Sequence, residues 1–347
     1  VPIIAHNQAH GRSFRPMAFI EMAAGALARA SESESFFYAL HTCMLHAPGD
    51  RPWPWHQMYG QAGYDGPNRF HYNKAGTSMA PTESEDGYTA EELSLQDDRL
   101  YDSGLDMADK LVGRLMGDLT EAGLLDNTIV VLLSDHGEES WSPELAYRYF
   151  GPNHGFHPFG DAQHRILLAV RFPDGRGAGR WVKDDVRSID IVPSVAEVLG
   201  LDWAVPTDGR SFMGLVDGET EDAPRPVFIE TGMTEARYWG VGHAEYPWKG
   251  VSRRYRVDQE TDFVQIREEF VPFLIAVKDR VYQVGPWKLI WRPSAVGPAG
   301  VHLFRRDEDP LNLNDVATAH PEIVAQLGLP MAALLAEDGI IEARAWE

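Results

Sequence analysis

The chain is poor in cysteine and in positive charge, and it contains no long hydrophobic run. Its 347 residues include one cysteine, Cys43, which excludes an internal disulfide and a cysteine-rich zinc site. Lysine and arginine number 31 against 52 acidic residues, so the formal net charge is −21. A surface of this charge repels nucleic acid and anionic membranes, so neither is an expected partner. No apolar run reaches the roughly 20 residues of a membrane span, so none is expected.

One apolar segment leads directly into residues that can bind a metal. Residues 128–133 predict a fully buried strand, followed by Asp135, His136 and Gly137. Ligands of open α/β sheets bind just beyond the carboxyl ends of the strands. Asp135 offers a hard oxygen and His136 a borderline nitrogen, while Gly137 lets the backbone turn sharply. The pattern predicts a site for a metal or an anionic substrate, and ordinary turn chemistry is the alternative.

Strands and helices alternate over most of the chain, which is typical of an α/β fold. Past residue 235 the pattern changes to short strands separated by Gly-Pro turns. We therefore expect an α/β domain over residues 1–234 and a smaller subdomain over residues 235–347. Helices are predicted over 16–30, 91–122, 188–200 and 320–337, and strands over 35–40, 165–172, 227–230, 276–284, 287–291 and 302–304.

A long irregular segment, residues 48–90, interrupts this pattern. Long loops in compact domains are usually functional or mobile. The segment is rich in aromatic residues that could stack on a sugar at the mouth of a pocket, and an ordinary packed loop is the alternative. These aromatic residues are Trp53, Trp55, Tyr59, Tyr64, Phe70 and Tyr72.

Several segments, taken in order along the chain, resemble the sulfatase family of the alkaline phosphatase superfamily. The resemblance covers nearly all of the chain from about residue 35. It is carried by Leu45-His46-Ala47-Pro48, Ser134-Asp135-His136-Gly137-Glu138, Arg165-Ile166-Leu167-Leu168, Ser188-Ile189-Asp190-Ile191-Val192-Pro193, Trp287-Lys288-Leu289-Ile290 and His302-Leu303-Phe304.

The resemblance implies a fold and an activity. The fold would be α/β, with an alkaline-phosphatase-like mixed sheet flanked by helices, a smaller C-terminal antiparallel sheet and a closing helix. The activity would be metal-assisted hydrolysis of a sulfate ester, either a small molecule or a carbohydrate. A phosphonate or phosphate ester hydrolase of the same superfamily and a non-catalytic binding protein are the alternatives. A homo-oligomer is left open, and the compartment is not assigned.

The resemblance also implies a metal and its ligands. Asp135 and His136 would help to bind one divalent cation, with calcium as the first choice. His136 stands where many sulfatases carry asparagine. Since calcium prefers oxygen ligands, the histidine leaves manganese, magnesium and zinc as alternatives.

Three histidines are the candidates for catalysis. By the resemblance, His46 would hold the anionic group of the substrate or protonate the leaving oxygen. Sulfatases usually carry a lysine or histidine that contacts the sulfate in the segment corresponding to residues 151–160. That segment has no lysine here, so His154 and His157 are the candidates. For each histidine, a purely structural role is the alternative.

One feature of the family is missing. Sulfatases use a cysteine or serine followed by x-Pro-x-Arg, and residues 1–347 contain no such segment. The paired N-terminal aspartates that complete the metal site are not found either. The simplest expectation is that these residues are the C-terminal portion of a longer enzyme. An inactive paralogue and a chain that pairs with another chain are the alternatives.

Overall fold

The chain is represented by a computed structural model, and its residues group into two compact units. One unit contains residues 1–133, 140–152 and 167–178, and the other contains residues 134–139, 153–166 and 179–347. In the part that the structure describes, no helix has the length and apolar character needed to cross a bilayer. The described residues are 3–7, 23, 25, 27, 32, 35–42, 45, 58–60, 63–66, 87–139, 154, 158–230, 255–258, 263–271, 278–292 and 300–337.

The first unit begins with two parallel strands. β1 (Ile3–Asn7) pairs with β2 (Tyr38–Thr42). Parallel neighbours need a long crossover connection, and the helix predicted over 16–30 falls within it. The described residues Ala23 and Leu27 of that connection are helical and buried.

The longest helix among the described residues of the first unit is α1 (Ala90–Glu121), which agrees with the prediction to within one residue at each end. Thr89 and Glu92 cap its first turn through reciprocal hydrogen bonds between side chain and backbone. Gly123 follows its end with a φ of 68°, a conformation that glycine adopts without strain. Apolar residues at helical spacing form its buried face, namely Leu93, Leu100, Met107 and Leu119.

The strand that precedes Asp135 differs from expectation in its burial. β3 (Val130–Leu133) pairs in antiparallel fashion with β4 (Leu168–Arg171). Leu132 and Leu133 are 36% and 45% exposed, so the prediction of a fully buried strand was wrong. An apolar sequence reports a preference for burial, whereas a two-stranded antiparallel ladder leaves surface open to solvent.

The second unit contains two short helices next to a buried carboxylate. A 3₁₀ turn over Ser188–Asp190 leads into α2 (Ile191–Val198), and α3 (Met213–Asp217) follows. The Asp190 side chain is fully buried and accepts hydrogen bonds from the Arg187 guanidinium and the backbone N–H of Arg210. These bonds stabilise the carboxylate in the interior.

The other described residues of the second unit include a four-stranded antiparallel sheet, a separate hairpin and one helix. The strands are β5 (Val227–Glu230), β6 (Tyr255–Val257), β7 (Val264–Ile266), β8 (Arg280–Val284), β9 (Trp287–Arg292) and β10 (Gly300–Arg305). The spatial order of the sheet is β10-β9-β8-β5, and β6 and β7 form the hairpin. The closing helix α4 (Pro321–Glu337) packs on this sheet, and its core includes Leu289, Leu303, Leu327, Met331 and Leu335.

The predicted fold class is confirmed. The described strands include both parallel and antiparallel pairs, with helices and a C-terminal antiparallel sheet closed by α4. β5 belongs to that C-terminal sheet, although it precedes the predicted domain boundary. The boundary between residues 234 and 235 lies outside the described residues and stays a prediction.

Candidate functional site

Asp135 and His136 lie near the start of the loop that follows β3, residues 134–139, which we call the metal loop because a cation site is proposed there. The Nδ1 atom of His136 lies 2.7 Å from the carbonyl oxygen of Gly137. Because a carbonyl only accepts hydrogen bonds, this contact favours the neutral tautomer that carries its proton on Nδ1 and its lone pair on Nε2. That Nε2 lies 3.7 Å from Oδ1 of Asp135, whose side chain is 70% exposed. One cation could contact both atoms, since metal–ligand distances are about 2.0–2.6 Å.

A second histidine and a glutamate lie beside this pair. The His154 ring stacks on the His136 ring, with ring centroids 3.8 Å apart and an interplanar angle of 26°. Its Nδ1 atom lies 2.8 Å from Oε2 of Glu138. His136, Glu138 and His154 each offer a ligand atom, and the three atoms lie within 4.8 Å of one another. All three side chains are partly buried, so a small ligand can reach them.

The Glu138 carboxylate also changes the protonation of His154. The hydrogen bond to Glu138 raises the pKa of the His154 imidazole, while burial opposes this rise. An imidazolium is therefore more favoured at His154 than at an ordinary histidine. A protonated ring donates hydrogen bonds from both nitrogens, and the second nitrogen could contact an anion.

The shape of the metal loop depends on Gly137. Its backbone N–H donates to the carbonyl oxygen of Gln163 at 3.0 Å. A Cβ atom at Gly137 would lie 1.9 Å from the carbonyl oxygen of Ala162, a distance that real side chains do not adopt. The predicted need for glycine at this position therefore has a specific cause, the close approach of residues 162–165.

Three of the predicted site residues come together, and two cannot be located. Asp135, His136 and His154 lie in one group, as the distances above show. His46 and His157 lie outside the described residues, so their roles stay predictions. The roles of the first three as ligands or catalysts also stay predictions.

Two aromatic residues of the irregular segment 48–90 have a described position. Tyr64 of the irregular segment is buried and packs against Tyr88, while Tyr59 is exposed. The other four aromatic residues of that segment, and Cys43, lie outside the part of the chain that the structure describes.

His164 is largely buried, and burial, with the nearby Lys288 charge, lowers its pKa to about 4. His164 is therefore neutral at pH 7 and does not serve as a cation.

Glu138 was not among the predicted site residues. Its carboxylate contacts His154, 16 positions away, and no local pattern indicated that pairing. Asp161, whose carboxylate contacts Lys288 of β9, was not among them either. In both cases the signal is a contact between distant parts of the sequence, which periodicity and turn patterns do not report.

The donor atoms of the group suit a divalent cation. Asp135 and Glu138 supply carboxylate oxygens, and His136 supplies a lone-pair nitrogen. Calcium takes six to eight oxygen ligands, whereas manganese and zinc accept mixed nitrogen and oxygen ligands. The residues therefore fit a divalent metal.

A family model and two curated relatives are similar to parts of this chain. A family model described as Sulfatase matches residues 16–201. The steryl-sulfatase of Rattus norvegicus is 32% identical over 162 residues, which are 43% of this chain and 27% of that protein. The multifunctional alkaline phosphatase superfamily protein PehA of Trinickia caryophylli is 25% identical over 246 residues, which are 65% of this chain and 46% of that protein.

A solved structure also matches in fold. The phosphonate monoester hydrolase SpPMH from Silicibacter pomeroyi superimposes with a TM-score of 0.62 at 20% sequence identity. The match covers 93% of this chain and 61% of that chain. The aligned regions thus span about a quarter to a half of the two curated relatives, so the activity of a whole relative does not transfer directly to residues 1–347.

Proposed function

This chain belongs to the sulfatase family, and from that premise we propose that it supplies the metal-binding side of a sulfuric ester hydrolase site. The observation that carries the proposal is the grouping of His136, Glu138 and His154 within 4.8 Å, beside Asp135. This group lies inside the segment that matches the family model. The proposed substrate is a sulfate ester of a small molecule or a carbohydrate.

The proposed roles follow from charge. Hydrolysis of a sulfate ester builds negative charge on the leaving oxygen, so catalysis needs positive charge and a proton donor. A divalent cation bound by Asp135 and His136 would neutralise charge on the sulfate oxygens. His154, oriented by Glu138, would donate a hydrogen bond to the same anion. His46 and His157 are proposed for further contacts with the sulfate or the leaving group.

The metal assignment can be tested by calorimetry. We expect manganese or zinc to bind more tightly than calcium or magnesium, because of the His136 nitrogen. Asp135→Asn and His136→Ala should each weaken binding at least tenfold, in line with the loss of a ligand. Asp109→Asn, on the exposed side of α1, is the matched control and should bind as wild type. Wild-type metal affinity in both Asp135→Asn and His136→Ala would refute the assignment.

A phosphonate or phosphate ester hydrolase is the second candidate. Two observations favour it, the fold similarity to a phosphonate monoester hydrolase and the imidazole in the metal pair. The ratio of kcat/KM for 4-nitrophenyl sulfate and phenyl 4-nitrophenylphosphonate, measured on the metal-loaded protein that carries this chain, separates the two candidates. Metal binding without turnover of either ester would instead support a non-catalytic binding protein.

The same assay tests His154. We expect His154→Asn to lower kcat/KM by about tenfold or more, because the anion would lose the hydrogen bond from the imidazolium. A rise in KM alone would restrict its role to binding the anion. Unchanged kinetics would remove His154 from the site.

A further inference from the structure

A buried group of polar side chains holds the segment around Asp161. The Nζ atom of Lys288 donates to the carbonyl oxygen of Phe159 and to Oδ1 of Asp161, both at 2.8 Å. Nδ2 of Asn312 donates to the same two oxygens at 2.9 and 3.0 Å. Nε of Arg306 donates to Oδ2 of Asp161 at 2.6 Å. Lys288 and Asn312 are fully buried, so this group lies in the interior and differs from a surface ion pair.

The group is charged. Burial alone would raise the pKa of the Asp161 carboxyl, but the Lys288 and Arg306 cations hold it well below its ordinary value. Burial lowers the pKa of Lys288, and the Asp161 carboxylate opposes this effect. Asp161 pairs with both cations, so removing it would leave the buried Lys288 ammonium without its carboxylate hydrogen-bond partner, and the donors and the carboxylate act as a unit.

Asp161 begins a short turn on which the metal loop rests. In the 3₁₀ turn Asp161–Gln163, the carbonyl oxygen of Gln163 accepts the Gly137 N–H at 3.0 Å. Nε2 of Gln163 donates to Oε2 of buried Glu139 at 2.5 Å. Gly160 leaves room for that carboxylate, because a Cβ atom there would lie 2.0 Å from Oε1 of Glu139. The turn therefore contacts the loop on both sides of Glu138, at Gly137 and at Glu139.

We propose that Lys288 and Asn312 are positioning residues for the metal loop. They fix Phe159 and Asp161, these fix the turn up to Gln163, and the turn fixes the conformation from which the loop binds its cation. Neither residue is among the proposed cation ligands, and both lie more than 120 positions along the chain from Phe159. This inference rests on the proposed function for its metal readout.

Two variants remove the hydrogen bonds to Phe159 and Asp161 in different ways. Lys288→Met removes the charge and both donated bonds with little change in length. Asn312→Gly removes two donated bonds without changing charge, and glycine readily adopts the φ of 53° at this position. Arg280→Met is the matched control. Arg280 is a fully buried cation of the same sheet, and it donates to Glu230 at 2.9 Å and to the carbonyl oxygen of Lys278.

The experiment measures manganese affinity by calorimetry and hydrogen–deuterium exchange of peptides covering residues 134–139, under conditions where each variant is folded. We expect Lys288→Met and Asn312→Gly to weaken manganese binding at least tenfold and to speed exchange in the metal loop at least tenfold. Arg280→Met should lower the free energy of unfolding in urea while leaving both loop readouts within twofold of wild type.

The outcomes separate this inference from the proposed function. If wild type binds no divalent cation, the proposed metal site fails, and the exchange data still decide the inference. Exchange in the loop that is unchanged in Asn312→Gly overturns the positioning role. Equal loop effects in Arg280→Met also overturn it, because they would reflect a general loss of stability.

Discussion

At the scale of single residues, Gly137 is the glycine near the proposed site at which a Cβ atom would make the shortest contact. A Cβ atom there would meet the carbonyl oxygens of Ala162 and Arg165 at 1.9 and 2.6 Å. We expect Gly137→Ala to lower the free energy of unfolding by about 2 kcal/mol or more, because two backbone segments must separate. Urea unfolding followed by circular dichroism measures this change.

Gly113→Ala is the control for that substitution. Gly113 lies on α1, and a Cβ atom there would meet nothing within 4 Å. Alanine in a helix is favoured over glycine, so this variant should gain about 0.5–1 kcal/mol. If Gly137→Ala were as stable as wild type, the close approach of the two segments would not constrain the loop.

His164 gives a prediction for acid stability. Burial is the main cause that lowers its pKa from 6.5 to about 4, so the unfolded chain takes up the proton first as the pH falls. The contribution of neutral His164 is complete above pH 6.5 and is lost progressively between pH 6.5 and 4. At pH 5 the loss should be about 2 kcal/mol.

Urea unfolding at pH 7.5 and pH 5 tests this titration. His164→Asn has no group that titrates in this range, so its stability should fall less than that of wild type over the same interval. The difference between the two proteins isolates His164 from the other titrating groups. Parallel losses in both proteins would show that His164 is not the group responsible.

The residue scale also marks how far the sequence could predict the site. Asp135, His136 and His154 belong to short segments whose order resembles a family, and the structure brings them together. The pairing of His154 with Glu138, and the burial of Lys288 against Asp161, depend on contacts across 16 and 127 positions. No spacing rule carries such information, so these partners could not be predicted.

At the scale of elements, the start of α1 carries a specific stabilising feature. The Thr89 hydroxyl accepts from the Glu92 N–H at 3.2 Å, and Oε2 of Glu92 accepts from the Thr89 N–H at 2.9 Å. Thr89→Ala removes the first of these bonds and should lower the free energy of unfolding by about 1 kcal/mol. Thermal and urea unfolding measure the change.

Thr89→Ser retains the hydroxyl and serves as the control. We expect it to remain within about 0.5 kcal/mol of wild type, because serine caps helices as well as threonine does. A Thr89→Ala variant as stable as Thr89→Ser would mean that the capping bond does not contribute to stability.

Helices were more predictable than the environment of strands. The apolar spacing of α1 and the glycine after it set its limits to within one residue, because both signals are local. The apolar composition of β3 indicated burial, yet Leu133 is 45% exposed. What covers a strand depends on its neighbours, which the sequence of the strand does not specify.

At the scale of the whole molecule, the net charge of −21 predicts a dependence on salt. Like charges repel in the compact state, and the Debye length shortens from about 30 Å at 0.01 M salt to about 8 Å at 0.15 M. We expect the melting temperature to rise by a few degrees over this range. Sodium chloride and choline chloride should act alike, whereas a rise with only one salt would indicate specific ion binding.

The hydrogen bonds from Lys288 and Asn312 to Asp161 have a consequence during synthesis of the chain. Lys288 and Asn312 follow their partners by at least 127 positions, so a ribosome adds them long after it has added residues 134–163. Until then, the Asp161 carboxylate lacks the ammonium and amide that hold it in the folded chain. If Lys288 and Asn312 position the loop as proposed, its cation-binding geometry forms only late in synthesis, and a nascent chain that stops before β9 lacks it.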